Sequence, residues 1–428
     1  MIDPASSQNS NNSFISNWVD AHFAAERAFL TTMVRMPTDN PPGDCAAHAA
    51  EAARQLEALG FKVEAYPLPQ ATVTAAGMIS ATNLIVRVAF GKGGPCIALN
   101  AHGDVVPPGQ GWTQDPYGAA VIEDPVHGPV MFGRGVAVSK SDFATYSYAL
   151  LALQALAAGG VALAGSVELH LTYDEETGGD IGPRWLLEQG LTKPDYAIGA
   201  GFSYAVTTAH NGCLHLEVTV HGRVGHAAMP ESGIDALVAA TQILGELYAS
   251  RAALKSRRSK VRGIDHPTLN VGLIEGGINT NVVPDRVSFR IDRRIIPEER
   301  PEQAEQELRA LLKDAATRCA PGISIDVQRI LLALPLPQLP GAERLTQALQ
   351  RNGEGFFGTP IAEHGVPLYT DARHYTAAGI PTVLYGAGPR TLKEANGHGA
   401  DECLRLHDLR HATETIAAAL AELLAAPA

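Results

Sequence analysis

Two groups of acid–base and metal-binding side chains each follow a segment rich in β-forming residues. His102 and Asp104 come just after the apolar run 96–100, and Glu175-Glu176 come just after the run SVELHLT. At a strand end, residues two apart project to one side, so an imidazole can bind a metal while a carboxylate hydrogen-bonds its ring N–H. Adjacent glutamates point in different directions, so one can bind metal while the other activates its water.

A third signal is His398, which lies between glycines in the segment NGHGADE at 396–402. Each of the three signals is weak by itself. An HxD pair occurs often by chance, and acidic pairs in loops are usually only solvated. Their value depends on whether one fold brings them together.

The elements around these residues alternate between helix and strand. Segments 44–59 and 143–158 have helical character and end at glycine, whereas 83–89, 96–100 and 166–172 are short β-rich runs. Such alternation predicts an α/β layer with a largely parallel sheet. The polar N-terminal stretch predicts a frayed arm before a helix at about 18–35.

The middle of the chain has a different pattern. Strands predicted at 214–220, 268–274, 286–293 and 323–330 combine with helices at 234–250 and 301–317 in the order β-α-β-β-α-β, which is typical of a ferredoxin-like module. After Pro335 the α/β character returns, with a strand at 382–385 and a helix at about 406–425. We therefore predict a discontinuous catalytic domain at 1–208 and 333–428, interrupted by an inserted domain at 209–332.

Composition restricts the function classes. The 428 residues are 46% hydrophobic and 18% charged, with a net charge of −12, so neither nucleic acid nor membrane is an expected partner. The N-terminus has no basic and apolar leader pattern, and the five cysteines are dispersed. We expect no secretory signal, no disulfide framework and a cytoplasmic location.

Eight short motifs then occur in one order along nearly the whole chain. They are MPTDNPPG at 36–43, HGDVVP at 102–107, GRG at 133–135, DEETGG at 174–179, GRVGHAAMP at 222–230, NVVPD at 281–285, TDAR at 370–373 and GHGADE at 397–402. Together they resemble the di-zinc family that includes acetylornithine deacetylase, succinyl-diaminopimelate desuccinylase, aminoacylase and glutamate carboxypeptidase. The resemblance implies a zinc-peptidase-type α/β domain with an inserted ferredoxin-like α+β lid, through which two chains pair as a homodimer.

The resemblance also implies roles for individual residues. His102 resembles the histidine of the first metal, and Asp104 its orienting carboxylate. Glu175 resembles the general base, while Glu176 and His398 resemble ligands of the second metal.

Three further residues resemble substrate contacts of the family. His226 is similar to a lid histidine that crosses the dimer interface to polarise the scissile carbonyl, and Asn281 to a second lid contact. Arg373 resembles the arginine that binds a substrate carboxylate, although an ion pair with Asp371 is an alternative role.

The chain departs from the family at two positions. Val138 stands where the family has the aspartate that bridges both metals, and Ala200 stands where it has a glutamate or aspartate ligand. Catalytic zinc usually has three protein ligands. We therefore expect at most one zinc or other divalent ion, held by His102, Glu176 and His398, with Asp142 as a candidate replacement.

Three interpretations stay open. The first is an amide hydrolase acting on an N-acyl amino acid or small peptide-like substrate, with Glu175 as base and at most one metal. The second is a metal-independent lyase, isomerase or unusual hydrolase acting on a substrate that carries a carboxylate. The third is an inactive binding protein on the same scaffold.

Overall fold

The chain forms two compact units in a computed structural model that describes residues 4–426, with side chains from residue 8 onward. The first unit comprises the described residues up to 208 together with 338–364 and the chain from 370 on, and the second comprises 209–337 and 365–369. The second unit extends slightly beyond the predicted 209–332 because Ala333 pairs with Cys213 and the Asn211 amide donates to Val366.

The helices cover much of the first unit and one face of the second. Their bounds are α1 (Pro4–Val34), α2 (Ala46–Ala58), α3 (Gln70–Ala75), α4 (Lys140–Ala158), α5 (Pro183–Glu188), α6 (Ala236–Leu254), α7 (Pro301–Thr317), α8 (Ala342–Phe357), α9 (Ala372–Ala377) and α10 (Leu406–Leu423). Among the described residues, no helix combines the length and apolar composition needed to cross a bilayer.

The strands are mostly short. Their bounds are β1 (Val63–Pro67), β2 (Thr82–Gly91), β3 (Cys96–His102), β4 (Ala120–Asp124), β5 (Gly128–Phe132), β6 (Gly165–Thr172), β7 (Tyr196–Gly199), β8 (Ala205–His210), β9 (Gly212–His221), β10 (Gly225–His226), β11 (Thr268–Gly276), β12 (Val282–Val283), β13 (Arg286–Ile295), β14 (Ser324–Ala333), β15 (Ala362–Val366), β16 (Thr382–Leu384) and β17 (Cys403–Arg405).

The main sheet of the first unit has the order β1-β2-β6-β3-β7-β16-β8-β15. Its four central strands, β6, β3, β7 and β16, run parallel, whereas β1, β2 and β8 pair antiparallel. Helix α4 is buried around almost its whole circumference because α1 and α10 pack on it and β3 lies beneath it. This confirms the predicted α/β class with a parallel sheet centre.

The N-terminal arm was predicted wrongly. Helix α1 begins at Pro4 rather than near residue 18. Ile15 and Val19 are fully buried, and the Ser16 hydroxyl donates to Glu414 on α10. Tertiary packing against α10 therefore stabilises a helix that the polar local sequence does not suggest.

The second unit has the predicted β-α-β-β-α-β order, with a small extra pair formed by β10 and β12. Its antiparallel sheet has the order β11-β13-β9-β14, and α6 and α7 cover one face of it. Alternate residues of β9, starting at Leu214, point into the apolar core under these helices. Since the period of a strand is two, Cys213, His215 and Glu217 lie on the other face.

Candidate functional site

The site lies at the carboxyl edge of the parallel strands. Strands β6, β3 and β7 are neighbours, so the residues that follow them meet at one edge of the sheet, where α/β proteins usually bind ligands. His102 ends β3, and Glu175 begins a short 3₁₀ turn after β6. His102 Nε2 lies 3.8 Å from Glu175 Oε2, and ligand atoms of His102, Glu175 and Glu176 all lie within 4.8 Å of one another.

Asp104 orders this cluster. Its carboxylate accepts hydrogen bonds from the backbone amides of Glu175 (3.2 Å) and Glu176 (3.1 Å), and Oδ1 lies 3.4 Å from His102 Nδ1. The Asn40 side-chain amide donates to Asp104 Oδ2 at 2.9 Å. The His102 ring is hydrogen-bonded to the Asp104 backbone carbonyl, 3.0 Å from Nδ1. Asp104 thus positions the glutamate turn through its carboxylate and the histidine through its carbonyl. The role of Asn40 was not predicted, although it lies in the motif MPTDNPPG.

His398 approaches from a distant part of the chain. Its Nε2 lies 3.3 Å from Glu176 Oε1, and this contact raises the pKa of His398 above its ordinary value. His398 has a φ of 63°, in the left-handed region that is strained for a residue with a side chain. The loop around it must therefore be held firmly by other contacts.

A buried ion pair provides that hold. Arg134 Nη1 donates to Glu402 Oε2 at 2.6 Å, and both side chains are 0% exposed. Arg134 Nη2 also donates to the carbonyls of His398 (3.3 Å) and Gly399 (3.1 Å). Glu402 Oε1 in turn accepts the backbone amides of Gly135, Ala137 and Val138. The pair therefore connects the His398 loop to the Val138 loop. Arg134 and Glu402 lie in the motifs GRG and GHGADE, but the sequence did not indicate that they form an ion pair.

Val138 and Ala200, which the resemblance places at metal-binding positions, carry no polar side chain. Val138 and Ala200 are both partly buried. Asp142, the proposed substitute, lies in the first turn of α4, and its Oδ1 accepts the Ala387 amide at 2.7 Å. Burial raises the pKa of Asp142 to about 7, although the Ala387 and Gly201 amides lower it. Asp142 is thus engaged by two backbone amides next to Ala200.

Arg373 is almost completely buried in α9. Its guanidinium donates to the Gly178 carbonyl through Nη2 and to the Thr370 carbonyl through Nη1 at 3.3 Å. His374 Nε2 lies 3.2 Å from the same Gly178 carbonyl. These contacts anchor the turn that carries Glu175. The predicted binding of a substrate carboxylate by Arg373 stays a prediction.

Burial and neighbouring carboxylates perturb the titration of the cluster. Burial is the largest cause that raises the pKa of Glu175 well above its ordinary value, with Glu176 and Asp371 adding to it and His102 opposing it. Burial alone would lower the pKa of His102, but Glu175, Asp104 and Glu176 raise it well above the usual range. A carboxyl with a raised pKa beside a histidine is suited to proton transfer.

The two remaining predicted residues lie together in the second unit. His226 and Asn281 stand next to each other at the β10–β12 pair, where His226 pairs with Val282 and the Ala227 amide donates to the Asn281 carbonyl. His226 is exposed, and its Nδ1 accepts the Ala228 amide at 3.0 Å. Their predicted roles as lid contacts stay predictions.

The cluster contains buried donors of the kind that bind a divalent ion. Glu176 Oε1 is buried and makes no aligned hydrogen bond among the described residues. This oxygen lies 3.3 Å from His398 Nε2. The group whose ligand atoms all lie within 4.8 Å of one another comprises His102, Glu175 and Glu176 and does not include His398. The position of a bridging carboxylate is taken by Val138, which offers no electron pair to a second ion.

Comparison with known proteins gives similar sequences and folds. The profile of the peptidase dimerisation domain matches residues 208–318, which includes most of the second unit. The acetylornithine deacetylase of Myxococcus xanthus is 28% identical over 402 residues, which cover 93% of this chain and 97% of that protein. The acetylornithine deacetylase of Salmonella arizonae is 29% identical over 84% of this chain and 86% of that protein.

Solved structures share the fold at lower identity. Human carnosine dipeptidase 1 superposes with a TM-score of 0.75 at 17% identity, covering 96% of this chain and 98% of that chain. A metallo-carboxypeptidase from Sulfolobus solfataricus also gives a TM-score of 0.75, at 16% identity, covering 93% and 99%.

Proposed function

We propose that this chain, which is similar over most of its length to acetylornithine deacetylases, hydrolyses the amide bond of an N-acyl amino acid or a small peptide-like substrate. The buried cluster of His102, Glu175 and Glu176 is the observation that carries the proposal. The chain is an amidohydrolase- or peptidase-like enzyme, and its substrate and metal content are the proposed parts.

One divalent ion, zinc by the chemistry of the donors, would be held by His102, Glu176 and His398. When bound, it would polarise the amide carbonyl and lower the pKa of a bound water. The backbone carbonyl of Asp104 would keep the imidazole of His102 in its binding orientation, as outer carbonyls and carboxylates do for metal-binding histidines.

Glu175 acts as the general base in this proposal. Its raised pKa suits it to accept the proton of the attacking water and to pass that proton to the leaving amine nitrogen. The turn that carries it is held at one end by Asp104 and at the other by Arg373, which donates to the Gly178 carbonyl. This rigid support favours a defined position of the carboxylate.

A homodimer through the second unit is the proposed assembly. Strand β11 is at the edge of its sheet and exposes Leu273 and Ile274, while α6 exposes Leu237, Val238 and Tyr248. An exposed apolar edge strand is prone to pair with another chain. Ile274→Lys is expected to give monomers in sedimentation velocity, whereas Ile330→Lys on the opposite edge strand β14 is the matched control that stays dimeric. The cytoplasmic location and the partner-chain role of His226 stay predictions.

Two neighbouring glutamates allow a sharp test of the mechanism. Protein purified without added metal is analysed for metal content and assayed on a panel of N-acyl amino acids and dipeptides, with and without chelator. Glu175→Gln should lower kcat by about 10²–10⁴-fold and retain the metal, since it removes only the base. Glu176→Gln should instead lose the metal, since it removes a ligand.

The outcomes separate the interpretations. Chelator-sensitive hydrolysis with about one metal per chain supports the proposal. Turnover that resists chelator but disappears in Glu175→Gln would replace it with the metal-independent enzyme. A panel without turnover, combined with tight binding of a carboxylate ligand, would indicate the binding protein.

A further inference from the structure

A second group of metal-binding side chains lies in the second unit, on the sheet face away from α6 and α7. Cys213 and His215 are two residues apart on β9, so they project to the same side, and Asp292 is directly opposite His215 on β13. Among the described residues, Cys213, His215 and Asp292 form one of two groups whose ligand atoms all lie within 4.8 Å of one another.

We propose that Cys213, His215 and Asp292 bind a zinc-type divalent ion that clips strand β9 to strand β13. This site is separate from the cluster at His102 and independent of the proposed hydrolysis. Thiolate, imidazole and carboxylate are the usual zinc donors, and water would complete a four-coordinate shell.

The distances between the donors agree with one tetrahedral ion. Cys213 Sγ lies 3.1 Å from His215 Nε2 and 3.7 Å from Asp292 Oδ1, and His215 Nε2 lies 3.3 Å from Asp292 Oδ2. Zinc bond lengths of about 2.0–2.3 Å at tetrahedral angles require donor separations of about 3.3–3.6 Å. Two of these distances reach different oxygens of Asp292, and one ligand atom from each residue lies within 4.8 Å of the other two. We therefore expect rotation of the side chains to bring the three donors to this spacing.

The remaining lone pairs of Asp292 and the exposure of the group leave room for an ion. Arg294 donates to Oδ1 and Oδ2 of Asp292 at 3.0 Å each, but each carboxylate oxygen keeps a second lone pair. The side chains of His215 and Asp292 are 33% and 30% exposed, so an ion can enter from solvent.

Binding is a simple exchange of a proton for the ion. The Cys213 thiol releases its proton to solvent, His215 binds as neutral imidazole, and Asp292 binds as carboxylate. Without an ion, the three side chains would form a chain of hydrogen bonds at the same distances. Such a chain is the competing explanation for why the side chains lie together.

Cobalt(II) is the probe because a thiolate bound to it gives a near-ultraviolet charge-transfer band. The proposed hydrolytic site has only nitrogen and oxygen donors, so the band reports on Cys213. The full-length reduced protein should bind one equivalent with this band. Cys213→Ser should abolish it, whereas Cys319→Ser, a half-buried cysteine at the end of α7, is the matched control that keeps it.

His215→Gln protects the test against misfolding of the first variant, because the His215 side chain is partly exposed. Removal of this ligand should raise the Kd for cobalt by at least about 100-fold, since loss of an outer partner alone changes affinity about 10–100-fold. No band in the unmodified protein, a band that persists in Cys213→Ser, or an unchanged Kd in His215→Gln would overturn the proposal and leave the hydrogen-bonded chain. None of these results bears on the proposed function, which is tested by Glu175→Gln.

Discussion

The ion pair between Arg134 and Glu402 holds two site loops in place, and its removal tests that structural role. Glu402→Gln keeps the shape of the side chain and removes its charge. The glutamine oxygen can still accept the amides of Gly135, Ala137 and Val138, but its NH₂ group then faces Arg134 Nη1, where a carboxylate oxygen now accepts at 2.6 Å. Two donors would meet in a place that has no solvent.

The expected effect is large because both side chains are 0% exposed. Loss of one partner leaves a buried, uncompensated guanidinium, which typically lowers the free energy of unfolding by about 3–5 kcal/mol. Arg134 keeps its bonds to the carbonyls of His398 and Gly399, so we expect about 3 kcal/mol, the lower end of this range. The His398 loop should also lose order.

Urea unfolding followed by tryptophan fluorescence reports on the first unit, which contains this ion pair. The three tryptophans, Trp18, Trp112 and Trp185, all lie in the first unit, and Arg134 stacks over Trp112. Glu188→Gln is the matched control, since its pair with Arg184 is about half exposed on both sides and should contribute less than about 0.5 kcal/mol. A loss below about 1 kcal/mol in Glu402→Gln would refute the role of the pair.

Two further predictions concern buried polar groups, and a third concerns the apolar positions Val138 and Ala200. Burial raises the pKa of Glu26 to about 8, above its ordinary 4.5, so folding takes up a proton and stability falls between pH 4.5 and 8. Glu26→Gln should therefore melt increasingly higher than the unmodified protein as pH rises, with a gain of at most about 4 kcal/mol at pH 8, and an equal difference at pH 5 and pH 8 would contradict it. Asn40→Ala removes the 2.9 Å hydrogen bond to Asp104 and should lower the free energy of unfolding by about 1.5–3 kcal/mol. It should also lower kcat more than it changes KM. Unchanged kinetics would exclude a positioning role of Asn40. The double variant Val138→Asp with Ala200→Glu should raise bound zinc towards two per chain in metal analysis. The neutral double variant Val138→Asn with Ala200→Gln should not. Equal metal content in both would show that these positions do not correspond to metal ligands.

The sequence alone was sufficient for the local and periodic parts of this protein. Glycine-terminated apolar helices, β-rich runs and the β-α-β-β-α-β order predicted both the α/β class and the inserted module, since these patterns depend on short-range spacing. The motif order grouped His102, Glu175, Glu176 and His398 as a candidate site, and the structure brings the first three within 4.8 Å of one another. The resemblance also predicted that Val138 and Ala200 replace metal-binding carboxylates, and that stays a prediction.

Only the tertiary structure decided which residues hold that cluster together. Asn40, Arg134 and Glu402 are far apart in the chain, and nothing in their local sequence indicates that Asp104 needs a buried amide donor or that two loops share an ion pair. The N-terminal helix and the group of Cys213, His215 and Asp292 are similar cases. The N-terminal helix depends on packing against α10, and the metal-binding group depends on the register between β9 and β13. Both are contacts over long sequence distances. Local propensity carries no information on such contacts.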